Sequence, residues 1–250
     1  MFSRIENTQM NRIMGLSETM HGRTDGITIK SVRELARMRE AGHVVALTLD
    51  LLQRSVEPGM RTRDLDTLAE REIRRLGAKP GFKGYLGFPA SICASVNDEI
   101  VHGIPGNRVL QEGDIISIDA GAIVDGFNGD AAVTIPVGQV STHLQRLIDV
   151  TREALNVGIR SARSGARVGD IGASIQNYVE SQSNYGIVRE YVGHGIGRNL
   201  HEDPSIPNFG QAGHGLPLRE NMCIAIEPML NIGDCQTRVL EDGWTVVTAD

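Results

Sequence analysis

The stretch whose reading decides the fold is Ile115–Ala131, IISIDAGAIVDGFNGDA. β-Branched residues alternate with small ones around Asp125-Gly126 and Asn128-Gly129, two dipeptides with turn chemistry, so the segment reads as two short apolar strands joined by a turn. Each strand carries one aspartate. Asp119 follows Ile115, Ile116 and Ile118, surroundings in which an ionised carboxylate is costly unless something positive is bound to it. A hairpin folded about Val124 and Asp125, midway between the two acids, makes Asp119 and Asp130 direct cross-strand neighbours with Cβ atoms about 5 Å apart. Carboxylates that close repel, and a cation or a shared proton resolves the repulsion. Taken singly, Asp130 reads equally well as a turn aspartate and Asp119 as a strand-end acid capping a backbone amide. Their pairing favours the cation.

The surrounding chain is long enough, at 250 residues, to bury a core as one large domain or two small ones. A formal charge of -6 and a pI near 5.7 argue against an autonomous nucleic-acid binder. Cys93, Cys223 and Cys235 are unevenly spaced beside aliphatic residues, which points to reduced thiols in a cytoplasmic protein and away from a disulfide framework or zinc ribbon. No apolar run approaches the roughly 20 residues of a membrane span, and no apolar region follows Arg4 to make a signal peptide.

Residues 1–26 are polar, lack periodicity and contain Met10, Met14 and Met20; they are expected to be a poorly ordered extension of a single domain over 27–250. Ser31-Val-Arg-Glu34 is a capping box, and Val32, Leu35, Met38, Val45, Leu49 and Leu52 then mark one face of a long helix. A second helix is expected from Thr62 to Leu76 with Leu65, Leu68 and Ile73 apolar, stopped by Gly77. Residues 79–105 are rich in glycine, proline and aromatics, with one strand expected at Ser91–Val96. Beyond the hairpin, helices are expected over Thr142–Ala162 (Leu144, Ile148, Leu155, Ile159) and Gly169–Ser181 (Ile171, Ile175, Val179). Ile187–Val192, Met222–Leu230 and Trp244–Thr248 read as strands, with His194 and His201 on a glycine-rich strand end and loop. A faint repeat aligns Pro58-Gly-Met-Arg-Thr-Arg-Asp-Leu65 with Ser164-Gly-Ala-Arg-Val-Gly-Asp-Ile171, which suggests two similar α+β halves.

Glu227 repeats the anomaly of Asp119, an acid after Ile224 and Ile226. Asp119, Asp130, His194 and Glu227 together form a set of oxygen and nitrogen donors without thiolate, which suits Mn, Fe, Co or Zn better than a structural zinc site; no HExxH helix is present.

His102-Gly-Ile-Pro, Asp119 and Asp130 with a glycine-rich turn between them, Gly193-His194-Gly-Ile-Gly-Arg, His201-Glu-Asp-Pro and Ile226-Glu227-Pro-Met together resemble type I methionine aminopeptidase from Ile27 onward. The resemblance implies an α+β pita-bread fold: two pseudo-symmetric halves with a central curved antiparallel sheet flanked by helices. It implies two divalent metal ions (Co, Mn, Fe or Zn), with Asp119 on one, Asp130 bridging, and His194 and Glu227 on the other. It also implies a metal-activated water whose proton Glu227 accepts, His201 bonding the substrate carbonyl oxygen, and His102 touching the scissile amide. The methionine pocket maps onto Tyr85, Phe88, Cys93 and Trp244, with His102 on its wall and Leu200 where the family often has an aromatic. Implied partners are nascent polypeptide N-termini with a small second residue, with the ribosome as a further candidate, for a monomer that binds neither nucleic acid nor membrane. The short interval from His201 to Glu227 leaves no room for the helical insertion of type II enzymes, and no paired CxxC motifs mark a zinc-finger extension.

One departure is at the end of the chain. The family continues into a last strand bearing a second bridging glutamate, and Glu241 and Asp242 belong to the turn before Trp244. A truncated domain with one weakly held metal and impaired activity is therefore expected. The competing readings are a proline dipeptidase-like pita-bread enzyme and a catalytically silent binding module of the same fold.

Overall fold

The computed structural model describes residues 26–249; the expected disorder of residues 1–25 lies outside the described residues. Helix α1 (Val32–Ser55) begins at the capping box read from sequence, with Ser31 Oγ accepting from Glu34 N–H at 3.3 Å and Glu34 Oε2 accepting from Ser31 N–H at 2.9 Å. Its buried face is Ala41, Val44, Val45, Thr48, Leu49 and Leu52. Val32, expected on that face, is 81% exposed: the first turn is held by its cap rather than by packing. Helix α2 (Thr62–Arg75) buries Leu65, Ala69 and Ile73. The stretch after it holds more than the one expected strand: β1 (Lys79–Pro80), a 3-10 turn at Tyr85–Gly87, β2 (Ile92–Val96) and β3 (Glu99–Val101).

Strands β4 (Ile115–Val124) and β5 (Phe127–Pro136) form the hairpin, but in a different register from the one expected. Val124 pairs with Phe127, so the loop is Asp125-Gly126 alone, with φ of 49° and 80°, the positive values a type I′ turn requires. Asp119 therefore faces Ala132 and Asp130 faces Gly121. The two acids still share a face, because positions 119 and 121 lie two apart, but they are diagonal and not direct neighbours. Asn128-Gly129 is no turn at all. The Asn128 side-chain amide donates to the carbonyls of Gly197 (3.1 Å) and Arg198 (3.0 Å), and a Cβ on Gly129 would stand 2.6 Å from the α1 backbone at Ala41 and Gly42. The glycine lets helix and strand meet.

Helices α3 (Thr142–Ser161) and α4 (Val168–Gln182) follow, within two residues of expectation. Ile159 was expected inside and is 53% exposed, while Ile148, Val150, Ala154 and Gly158 bury the working face. The remaining strands are short: β6 (Gly186–Ile187), β7 (Gly193–Gly195), β8 (Glu202–Ile206), β9 (Leu230–Asn231), β10 (Thr237–Val239) and β11 (Val246–Thr248). The expected strand Ile187–Val192 survives only as the end of β6. Of Met222–Leu230, only Leu230 joins a ladder, with a single bridge from Ile224 to Gly195; Pro228 has no N–H to offer one. Among the described residues the antiparallel framework thus comes in four pieces: β1-β4-β2 with β5 on β4, β10-β11-β3, β6-β9 and β7-β8.

The repeat is real in the backbone. Gly59 N–H donates to Leu110 O at 2.8 Å and Leu110 N–H to Met60 O at 2.8 Å; Gly165 N–H donates to Leu218 O at 3.0 Å and Leu218 N–H to Ala166 O at 2.7 Å. Gly59 and Gly165 both need a positive φ, 93° and 87°. Asp64 and Asp170 each accept from the N–H three residues before, at the start of α2 and α4. Each half has its own core, one built around Leu52, Leu65, Ile73, Ile92 and Ile116, the other around Ala154, Ile171, Ile175, Val179 and Ile206. No helix among the described residues is long and apolar enough to cross a membrane.

Candidate metal centre

Every site residue singled out from sequence lines one cavity: Asp119, Asp130, His194 and Glu227 with His102 and His201, then Tyr85, Phe88, Cys93, Leu200 and Trp244. The first half supplies the two aspartates from β4 and β5, and the second supplies His194 from β7 and Glu227 from the extended segment before β9. His194 Nδ1 lies 2.8 Å from Gly195 O, which turns Nε2 towards the acids, 3.2 Å from Glu227 Oε1 and 3.7 Å from Asp130 Oδ2. These are ion-pair spacings: among the described residues no three His, Cys, Asp or Glu side chains already stand in ligating geometry.

The electrostatics nevertheless call for positive charge. Burial, and after it the carboxylates of Asp130 and Glu227, push Asp119 well above the usual carboxylate range. Burial also raises Glu227, against the opposing pull of His194. Burial works to lower His194, but Asp130 and Glu227 outweigh it and push the imidazole up to about 10. Glu227 Oε1 is buried and not aligned for any hydrogen bond. Three crowded carboxylates, one imidazole and an orphaned oxygen are a donor set that suits a divalent cation.

The neighbouring histidines are neutral. Burial lowers His102 to about 4; burial and the charge on His194 lower His201 to about 4. Tyr85, whose phenol burial raises and so keeps protonated, places its hydroxyl 2.8 Å from His201 Nδ1; a phenol that donates there leaves Nε2–H of His201 as a donor. The His194 and His201 rings are 4.3 Å apart. His102 adopts a left-handed φ of 60° just past β3, which sets its ring edge-on to Tyr191 and Trp244. Phe88 and Trp244 meet edge to face at 5.1 Å. Cys93 sits directly opposite Asp119 in the β2–β4 register, so the apolar pocket and the acids occupy adjacent strands; its buried thiol is pushed well up. Phe82 and Leu86 also line the cavity and were not foreseen. Phe82 is placed there by a contact distant in sequence: its ring fills the space that a side chain at Gly121 would need.

The loop from β7 to β8 that carries Leu200 and His201 is fastened by a buried ion pair. Lys30 Nζ lies 2.9 Å from Glu202 Oε2, with side chains 5% and 7% exposed, and Glu202 Oε1 accepts from Asn199 N–H at 3.1 Å. Lys30→Met is expected to cost about 3–5 kcal/mol in urea denaturation, because it strands Glu202 as a buried unpaired charge. Lys30→Met/Glu202→Met is expected to recover most of that loss; equal losses in both variants would show that packing, not charge, is at stake.

The model of metallopeptidase family M24 matches residues 36–248. The chain belongs to that family. Within M24 it falls in the type I methionine aminopeptidase branch. It is 52% identical over 224 residues to methionine aminopeptidase 1 of Bacillus subtilis and 51% identical over 225 residues to methionine aminopeptidase of Clostridium acetobutylicum, each comparison covering 90% of both chains. The crystal structure of Thermotoga maritima methionine aminopeptidase superposes with a TM-score of 0.88 at 46% identity, covering 90% of each chain. Prolidase from Pyrococcus furiosus, 22% identical with a TM-score of 0.70 over 88% of this chain and 60% of its own, shares the fold alone. The pita-bread expectation therefore holds, and membership of a metallopeptidase family carries a divalent metal cofactor.

Proposed function

We propose that this M24 chain removes the N-terminal methionine from polypeptides whose second residue is small. The observation that carries the reading is one cavity in which four donors, Asp119, Asp130, His194 and Glu227, stand beside two neutral histidines and a soft apolar pocket. Asp119 would hold one cation, Asp130 would be shared between two, and His194 and Glu227 would hold the second. A bound divalent metal supplies Lewis acidity and a water acidic enough to act near neutral pH. Glu227 then takes the proton of the attacking water. His201 donates from Nε2–H to the scissile carbonyl oxygen as negative charge gathers there. His102 contacts the scissile amide and borders the pocket, where Tyr85, Phe88, Cys93 and Trp244 take the thioether and Leu200 leaves one wall low. The substrates are nascent chains, met in the cytoplasm by a monomer.

Cleavage of Met-Ala-Ser in the presence of Mn or Co, with no cleavage of Xaa-Pro peptides, is the expected result. Cleavage of the proline peptide alone would make the chain a dipeptidase relative, and silence towards both would make it a binding module. A second expectation concerns stoichiometry. Among the described residues the cavity offers only three carboxylates for two cations, and two of them crowd the His194 side. Calorimetric titration with Mn is expected to give one tight site and a second at least about tenfold weaker, the scale on which small changes around a ligand set act. Two equally tight sites would contradict the assignment.

A further inference from the structure

Glu227 lies in a segment that the sheets do not hold. Ala225 N–H donates to His194 O at 2.7 Å before it, and Val188 N–H donates to Met229 O at 3.0 Å after it. Between those anchors Pro228 has no N–H to give. The Glu227 carbonyl instead accepts from the side chain of Asn208, whose Nδ2 is 2.7 Å away. Asn208 is 0% exposed, and its Oδ1 has no hydrogen-bond partner. A buried amide with an unsatisfied oxygen is a poor core residue, and an apolar side chain of similar volume would remove that penalty at the cost of the donor to the Glu227 carbonyl.

We infer that Asn208 is a positioning residue, whose amide fixes the backbone of Glu227 and through it the affinity of the site for a divalent cation. Asn208 is well placed to act as a fixed point. It follows β8, and the carbonyls of its neighbours Pro207 and Phe209 press on α4 at Gly172, where no Cβ would fit. On the other side, Gly193 allows the Ala225 carbonyl to approach β7 where a side chain would not, so the segment is clamped close to His194 and needs only one further constraint to aim Glu227. That constraint is the Asn208 hydrogen bond.

The inference rests on Glu227 being a metal ligand, and the test separates the two. The full chain, stripped of metal, is titrated with Mn alone by calorimetry in four forms: wild type, Asn208→Leu, Asn208→Ser and Glu227→Gln. Both Asn208 variants are expected to bind Mn about tenfold more weakly, the low end for partners that orient a ligand, while Asn208→Leu melts within about 3 °C of wild type, the shift that a change of about 1 kcal/mol gives in a domain of this size. Glu227→Gln is expected to lose more affinity than either. Wild-type Mn affinity in Asn208→Leu alongside weakened Glu227→Gln would overturn the positioning role. Wild-type affinity in Glu227→Gln would overturn the ligand assignment and the inference with it. Loss of a cooperative melt in both Asn208 variants would make Asn208 framework and overturn the role as well.

Discussion

Glu227→Gln is expected to raise the stability of the metal-free protein while destroying its affinity for metal. In the absence of a cation the Glu227 carboxylate is buried and repelled by Asp130, and the charged His194 3.2 Å away offsets those costs only in part. Removing that charge relieves the fold, and a rise in melting temperature of about 2–4 °C in EDTA is expected, the response to about 1 kcal/mol in a domain of this size. Mn affinity is expected to fall by more than about 100-fold, beyond the range typical of residues that only support a ligand, and turnover falls with it. Calorimetry with and without Mn reads both quantities. A melting temperature that drops in EDTA would mean that the His194 contact at 3.2 Å is a structural pair in its own right.

His201→Ala is expected to lower kcat for Met-Ala-Ser by about 10²–10³, the usual loss when one donor to a developing oxyanion is removed, with little change in KM. Mn affinity should stay near wild type, because His201 makes ring contact with His194 and is not among the four donors. Tyr85→Phe is expected to reproduce a smaller part of the kcat loss, since the Tyr85 hydroxyl, 2.8 Å from His201 Nδ1, would by donating there keep the proton on Nε2. A variant that loses Mn along with kcat would reassign His201 to the metal.

Three of the four donors were legible because each broke a local rule. Asp119 and Glu227 are acids after isoleucines, and His194 lies between glycines, so their chemistry shows without any fold. The hairpin's register was not legible, because both Asp125-Gly126 and Asn128-Gly129 offer a turn and periodicity is indifferent between them. What decides is tertiary: the Asn128 amide is taken by Gly197 and Arg198, and Gly129 is the point where α1 crosses. The segment around Glu227 looked like a strand because its apolar residues alternate, but its hydrogen bonds go to single partners far away in sequence. Asn208 gave no signal at all, since a single asparagine after a proline reads as loop.

Besides the core of each half, a third cluster packs Phe82, Phe88 and Cys93 of the first half against Ile196 and Leu200 of the second, and β11 pairs with β3, so the four donors, divided two and two, are brought together by the fold itself. Release of a bound cation is therefore expected to loosen the Glu227 segment within the second half and to leave the join between the halves closed. Hydrogen exchange would register it as early opening of the amides of Ala225 and Ile196, which join β7 to the Glu227 segment, while those inside α1 and β4 stay closed.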